Sequence, residues 1–322
     1  MFEQYAFQTI TILIGALSAS AVALVYFRQI RLERPAIGVF NMRDISILLI
    51  FILVLPLLYL VLPIWALTAM LTLTFTGALY LALRPLLRLV YLWLAIVFLL
   101  GGDIWVTYHY LGTVIGWQVY WIFGSLVMLL ASSGVANLYV QGGMRLRHVA
   151  WFSFILAFYD LFFVMVIPLS ARLADLFIGH PLDPSIGFRM GIYSANIGLG
   201  DLLVFCCFTI AAYKGFGKRG AIAAFVIITI FGAIIPSLSP LIISAFVRNS
   251  IGIVVPAQAS FGPAALVTYL WLARRSKERS MKEWFALETA QGRATRPGSR
   301  ILRRVAEQPA LADVQSAAQG SD

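Results

Sequence analysis

The sequence predicts an all-α polytopic membrane protein with about nine transmembrane helices. Of its 322 residues, 61% are hydrophobic and only 12% are charged, whereas a soluble domain has about 25% charged residues. Uncharged apolar runs recur along the chain, each to be compared with the roughly 20 residues that one span needs. A water-soluble fold of this size could not bury so much apolar surface, so we expect the lipid bilayer to be its solvent.

Charged residues and prolines divide the chain into spans. A basic loop follows the first apolar run, 7–27. The stretch 45–83 contains no charge and is too long for one span, so we divide it near 62–65, beside Pro56 and Pro63. The predicted spans are 7–27, 45–62, 65–83, 89–110, 114–140, 149–169, 191–213, 221–245 (broken by Pro236 and Pro240) and 251–273.

The distribution of Lys and Arg predicts the orientation. The loops after spans 1, 3, 5 and 7 contain eleven of these residues, and the loops after spans 2, 4, 6 and 8 contain three. The tail after Ala273 adds ten to the first group. Because Lys and Arg are retained on the cytoplasmic side, we expect an extracytoplasmic N-terminus and a cytoplasmic C-terminus, in the cell membrane.

The predicted organisation has three parts. They are a five-helix N-terminal part (1–148), a part with helices 6 to 9 and the candidate catalytic residues (149–274), and a basic, largely disordered cytoplasmic tail (275–322). The first part of the tail, 276–290, is expected to form a surface helix with Trp284 and Phe285 at the membrane interface.

Three carboxyl groups lie inside predicted spans, on Asp103, Asp160 and Asp201. Each costs on the order of 3 kcal/mol at mid-membrane, so each is expected to have a structural or functional use. Asp103 lies near the outer end of span 4, where we expect a structural or water-facing role.

Asp160 and Asp201 lie at mid-depth in neighbouring antiparallel spans, which can bring them face to face. Two carboxyl groups in contact in a low-dielectric site share a proton. Peptide hydrolysis needs that state, because one carboxylate takes a proton from water while the other carboxyl polarises the scissile carbonyl.

The neighbours of this pair extend the pattern. Gly198 and Gly200 flank Leu199 just before Asp201, and they remove side-chain bulk so that another backbone can approach. Such glycines also serve plain helix packing. Tyr159 supplies a hydroxyl beside Asp160, although a tyrosine in a span most often only packs.

Together these residues resemble a known family. Tyr159-Asp160 and Gly198-Leu199-Gly200-Asp201 resemble the paired motifs of the GxGD intramembrane aspartyl proteases, the presenilin and signal peptide peptidase family. The third motif of that family is Pro-Ala-Leu at the start of the last span. Here Pro256-Ala257-Gln258 matches two of its three positions, and Pro263-Ala264-Ala265-Leu266 is a rival alignment.

The resemblance implies an endopeptidase that cuts within transmembrane segments or signal peptides. Asp160 and Asp201 would be its catalytic pair, and the segment at Pro256 would dock an unwound substrate. No cofactor, metal ion, nucleic acid or obligatory partner subunit is implied. The predicted orientation is that of the signal peptide peptidase branch, because presenilin is oriented the opposite way.

Other classes remain open at the level of sequence. A proton- or cation-coupled transporter could use the intramembrane aspartates as ion sites, although no inverted repeat is evident. Prepilin peptidases also have a Gly-x-Gly-Asp motif, usually followed by Lys, whereas Leu202-Leu203 follows here. A membrane scaffold would leave the paired acids without a role.

Overall fold

The computed structural model describes most of the chain. The described residues are 2–32, 42–165, 176–177, 179–186, 189–190, 193–194, 197–239 and 256–290.

The described residues fold mainly into α-helices. These are α1 (Phe2–Gln29), α2 (Met42–Val61), α3 (Ile64–Leu83), α4 (Leu89–Tyr110), α5 (Val114–Gln141), α6 (Leu146–Met165), α7 (Leu199–Phe216), α8 (Lys218–Ser239), α9 (Ala257–Arg275) and α10 (Met281–Ala290). Within these residues, α1 to α8 are long and apolar enough to cross a membrane. The predicted class, an all-α membrane protein with several spanning helices, is therefore confirmed.

Several predicted boundaries agree with the structure. Helix α4 spans the predicted residues 89–110, and the break between α2 and α3 falls at 62–63, beside Pro63. Helix α6 begins at Leu146, three residues earlier than predicted, and the predicted end of span 6 at 166–169 lies outside the described residues.

The predicted start of span 7 is wrong. Helix α7 begins at Leu199, because part of the preceding segment is extended rather than helical. Two antiparallel pairs of two-residue strands lie there: β1 (Ser185–Ile186) with β4 (Ile197–Gly198), and β2 (Arg189–Met190) with β3 (Tyr193–Ser194). These strands are also a small departure from the predicted all-α class. Apolar composition alone does not distinguish an extended segment from a helical one.

Helix α8 passes through Pro236 without a break. A π-helical stretch, Ile228–Ile234, precedes the proline, and the N–H of Ile235 donates to Ile230 O, five residues back. Proline lacks an N–H and its ring clashes with the carbonyl four residues earlier, so a locally widened helix accommodates it. The predicted break at Pro240 lies outside the described residues.

Helix α9 is a central element of the second half of the chain. It begins directly after Pro256, contains Pro263, and packs against α6 in the most extensive helix pair of the described residues. A side chain at Gly262 would overlap the carbonyl oxygen of Ser153 and would lie 2.9 Å from Cβ of Ala157. The two backbones therefore approach closely at this crossing. The predicted first residues of span 9, 251–255, lie outside the described part of the chain.

The bundle has a buried centre and an exposed margin. Helix α7 has the largest buried share of the spanning helices, and it packs against α1, α5, α6 and α8. Helix α2 has the smallest buried share and packs mainly against α6. Its exposed apolar side chains face the lipid that we expect around it.

The predicted helix of the tail is present as α10, but its tryptophan is not at the surface. Trp284 is 3% exposed and packs against α1, with its ring centroid 4.8 Å from that of Phe27. The interfacial position expected for Trp284 is therefore wrong. The side chain of Phe285 and residues 291–322 lie outside the described part of the chain.

Candidate active site

Asp160 lies on α6 and Asp201 on α7, and these two helices pack against each other. Both side chains are half-buried, and the charge of Asp201 acts on the Asp160 carboxyl. Asp201 lies in the first turn of α7 rather than at the middle of a long helix, because α7 starts at Leu199. The backbone N–H groups of that first turn lack intrahelical partners and favour a carboxyl group nearby.

Gln258 connects the two carboxyl groups from a third helix. It is the second residue of α9 and is 2% exposed. Its backbone N–H faces Asp160, and its side-chain amide faces Asp201. Neither polar atom of that amide reaches a partner at ordinary hydrogen-bond geometry, so its contact with Asp201 is a long one. The site is thus built from α6, α7 and α9.

The two glycines before Asp201 are not helix-packing positions. A side chain at Gly198 would have Oδ2 of Asp201 4.0 Å away, and one at Gly200 would meet no described atom within 4 Å. Gly262, by contrast, is pressed against the neighbouring backbone. Among the described residues, Gly198 and Gly200 therefore leave space at the start of α7, and open approach to the Asp201 carboxyl stays a prediction.

The strand pair β1–β4 leads directly into the helix that carries Asp201. Gly198 pairs with Ser185, and the N–H of Leu199 donates to Pro184 O at 2.9 Å, which extends the pairing by one residue. Gly198 is at the same time the N-cap residue of α7, with extended φ and ψ angles. Sequence reasoning missed this hairpin, although its end coincides with the predicted glycine motif.

Tyr159 has a partner other than the carboxyl pair. Its hydroxyl donates to Ile52 O of α2 at 3.2 Å, and its ring packs on Phe163 with centroids 4.5 Å apart. The charge of Asp160 also acts on this hydroxyl, and a role for it at the site stays a prediction. Tyr159 also ties α2 to α6 one residue before Asp160.

The start of α9 agrees with the Pro256 alignment of the third motif. Pro256 is the N-cap residue with φ −61° and ψ 146°, and Ala257 packs partly buried against the core. Ser260, which the sequence analysis did not single out, donates its hydroxyl to Phe231 O at 2.5 Å, in the π-helical part of α8. The rival motif starts at Pro263, which lies inside α9 and is exposed.

Asp103 has a structural role outside this site. It is completely buried, and its Oδ2 accepts a hydrogen bond from Leu182 N at 2.7 Å. Leu182 has a positive φ of 61°, an unusual conformation for a bulky residue. Asp103 therefore anchors the segment that leads to β1, in line with the structural role expected for it.

The arrangement is suited to proton transfer and to activation of a water molecule. Two adjoining carboxyl groups in an apolar bundle can hold one proton between them and pass it to a bound group. Among the described residues, no group of three or more His, Cys, Asp or Glu side chains could hold a metal ion.

Comparison with known proteins adds no relative to this picture. No protein-family model matches the chain, and no curated protein matches it. Fold and composition together define a multi-pass, mainly α-helical membrane protein, in which α6 and α7 each carry an aspartate inside the bundle.

Proposed function

We propose that this chain is an intramembrane aspartyl endopeptidase, similar to the GxGD proteases and closer to their signal peptide peptidase branch. The observation that carries the proposal is the charge interaction between Asp160 and Asp201 on packed helices of an apolar bundle. Each acidic side chain is costly in the bilayer, so a pair that interacts there is expected to have a functional use.

The proposed reaction is hydrolysis of one peptide bond. One aspartate, ionised, takes a proton from water while the water oxygen bonds to the scissile carbonyl carbon. The other aspartate, protonated, donates its proton to the carbonyl oxygen, which yields a tetrahedral diol. The diol then collapses: the C–N bond breaks, the amine nitrogen takes a proton from one carboxyl, and the new carboxylic acid gives one back to the pair.

Substrate access is supported by the surroundings of Asp201. A helical substrate must unwind, because a helix engages the carbonyl groups that water has to attack. Extended backbone at β4, together with the free space beside Gly198 and Gly200, suits an extended chain next to the Asp201 carboxyl. The buried Gln258 amide acts on the same carboxyl and offers a donor and an acceptor for substrate backbone.

We count α9 as the ninth span. It has 19 residues, a length of about 28 Å at 1.5 Å per residue, close to the hydrocarbon thickness of about 30 Å. Its composition is less apolar than that of α1 to α8 because its first half faces α6 and the site rather than lipid. With nine spans the termini lie on opposite sides of the membrane, the N-terminus outside.

The topology is tested by a protease-protection experiment. With a peptide tag fused to the tail after Asp322, we expect protease to remove the tag in inside-out membrane vesicles and to spare it in right-side-out vesicles. A tag on the N-terminus is the matched control and should show the reverse pattern. Removal of the tail tag from right-side-out vesicles would contradict the proposed orientation.

The proposed activity is tested by active-site labelling. A photoreactive hydroxyethylene analogue of the tetrahedral diol is added to the reconstituted protein, with unlabelled analogue as competitor. We expect labelling that competitor abolishes, and at least a tenfold loss of labelling in Asp160→Asn and in Asp201→Asn. Asp103→Asn should label like the wild type, because its amide oxygen can still accept the hydrogen bond from Leu182 N.

Two results would count against the activity. One is the absence of competable labelling in the wild-type protein, and the other is equal labelling of the wild type and both dyad variants. In either case, proton-coupled uptake into proteoliposomes becomes the next measurement, since a transporter is the rival use of intramembrane aspartates.

A further inference from the structure

The chain does not leave the bundle after α9. Residues 276–290 turn back, and α10 packs against α7 at the end of the bundle where α1, α5 and α7 end and α6 begins. Three side chains of this segment make specific contacts with that end. They are Glu278, Arg279 and Trp284.

Trp284 fastens α10 to the end of α1. Its ring lies against Phe27, and the guanidinium carbon of Arg31 lies 4.0 Å from the ring centroid. Arg31 also donates to Phe27 O at 2.8 Å. Arg31 also lies 5.5 Å from the Phe27 ring centroid, so the three side chains form one buried aromatic–cation cluster, which is a directional contact.

Arg279 closes the end of α7. Its backbone N–H and its Nε both donate to Gly215 O, at 3.2 Å and 3.1 Å. The last carbonyl groups of a helix lack intrahelical partners and favour a cation. The positive φ of Gly217, 70°, turns the chain away there, and a side chain at Gly217 would meet the Arg279 guanidinium at 2.7 Å.

Glu278 reaches two helices at once. Its Oε1 accepts a hydrogen bond from Leu146 N, the first residue of α6, at 2.5 Å. Its Cγ lies 3.0 Å from the position of a Cβ at Gly215, near the end of α7. The carboxyl group caps an unpartnered N–H of α6 in the way that N-cap side chains do.

Lys214 is a buried residue of α7 and precedes Gly215, which Glu278 contacts. It is 1% exposed, its Nζ donates to Val140 O at 3.3 Å and to Met144 O, and it attracts Glu278 by charge. Burial raises the pKa of the Glu278 carboxyl, although the Leu146 N–H and the charges of Lys214 and Arg145 act in the opposite direction. We therefore attribute the stabilising effect of Glu278 mainly to its hydrogen bond to α6 and its packing on α7, rather than to its charge.

We propose that residues 276–290 form a clamp that holds α6, α7 and α9 in register, and that Glu278 is its positioning residue. These three helices carry Asp160, Asp201 and Gln258. The clamp itself follows from the contacts above, whereas its effect on catalysis rests on the proposed function.

Helix length explains how a distant contact affects the site. Leu146 and Asp160 are fourteen residues apart, or about 21 Å along α6. A tilt of about 3° over that length displaces the Asp160 carboxyl by about 1 Å, and a displacement of about 1 Å in a catalytic group can cost about 10²-fold in rate.

The clamp is tested by the accessibility of Lys214 in the full-length protein, independently of any enzymatic activity. The reconstituted protein is treated with an amine-acylating ester, and acylation of Lys214 is followed by peptide mass spectrometry. We expect acylation at least tenfold faster in Glu278→Ala than in the wild type. Glu278→Gln should stay within twofold, because its amide oxygen still accepts from Leu146 N.

Two further variants complete the design. Glu283→Gln is the matched control, since Glu283 is exposed and its Oε2 accepts from Ser280 N within the same segment. Trp284→Ala removes the contact of the clamp with α1 rather than its contact with α6. It should also expose Lys214, and it replaces Glu278→Ala in the test if that variant does not fold. Wild-type protection of Lys214 in both Glu278→Ala and Trp284→Ala would overturn the clamp.

The link to the site is measured separately, as cleavage kinetics. We expect Glu278→Ala to lower kcat by 10- to 100-fold with KM within threefold of the wild type, and Glu278→Gln to restore kcat. An exposed Lys214 with unchanged kcat would overturn the positioning role. A wild-type protein that cleaves no substrate would refute the proposed function, and the Lys214 measurement would still decide the clamp.

Discussion

Asp160→Asn and Asp201→Asn are each expected to lower cleavage of a synthetic single-span peptide by about 10³-fold or more in proteoliposomes. General acid–base catalysis by a positioned side chain contributes about 10²- to 10⁴-fold, and an asparagine neither takes up nor releases the proton. Because the two carboxyl groups act as one unit, the double variant should be no slower than either single variant. The measurement is the initial rate of peptide cleavage at saturating substrate.

The matched control is Asp103→Asn, which makes the same chemical change at a third carboxyl inside a span. Its amide oxygen can still accept from Leu182 N, so we expect at least half of the wild-type rate. All variants are first compared by thermal unfolding, so that a loss of fold is not read as a loss of chemistry. Cleavage by both dyad variants at the wild-type rate would exclude the catalytic pair.

Gly262→Leu is expected to have the largest effect on the fold. A side chain at this position collides with the Ser153 carbonyl oxygen and with Ala157, and both are part of the α6 surface that α9 packs against. Overpacking a well-packed contact costs about 1–3 kcal/mol, and separation of α9 from α6 also moves Gln258 away from Asp160. We expect a lower midpoint of thermal unfolding together with at least a 10²-fold loss of cleavage.

Gly77→Ala is the matched control for this prediction. Gly77 is also a helical glycine within a span, but it is exposed and a side chain there meets no described atom within 4 Å. Replacing a helical glycine by alanine favours the helix by about 1 kcal/mol, so its unfolding midpoint should be unchanged or higher. If Gly262→Leu unfolds at the wild-type temperature, the close α6–α9 crossing is not present in the protein.

The sequence predicted helix boundaries well wherever a charge or a proline marks them. Helix α4 lies between Arg88 and the turn after Tyr110, and Pro63 separates α2 from α3. These signals act locally, through the cost of a charge in lipid and the missing N–H of proline. The start of α7 has no such marker, because the residues before it are uncharged and only their pairing with β1 makes them extended.

The same distinction holds for the candidate site. Asp160 and Asp201 were singled out from their predicted depth in neighbouring spans and from the glycines beside one of them. The structure has them on packed helices, with Asp201 in the first turn of α7, and their action as a catalytic pair stays a prediction. The contact of Gln258 with both carboxyls was not predicted, nor was the use of the Tyr159 hydroxyl by α2. Both depend on how helices distant in the sequence are rotated against each other.

In the first part of the tail, composition predicted the wrong environment for the side chains. Its basic and polar residues predicted a surface helix with Trp284 at the interface, yet Trp284 is buried against Phe27 and Arg31. Glu278 is likewise half-buried against the first residue of α6. No periodic pattern in so short a segment indicates which partner its side chains will meet.

The amino-acid sequence by itself determined that this chain belongs in a bilayer and where most of its spanning helices begin and end, and it singled out two acidic residues in neighbouring spans. These features are predictable because each polar group exposed to hydrocarbon adds its own unfavourable free energy, which depends on the local sequence. Only the tertiary structure decided that α7 begins at Leu199, that α9 brings Gln258 to both carboxyl groups, and that residues 276–290 return to the bundle. Each of these depends on contacts between segments far apart in the chain, and in an apolar bundle their partners are chosen by close packing and hydrogen bonding rather than by hydrophobicity.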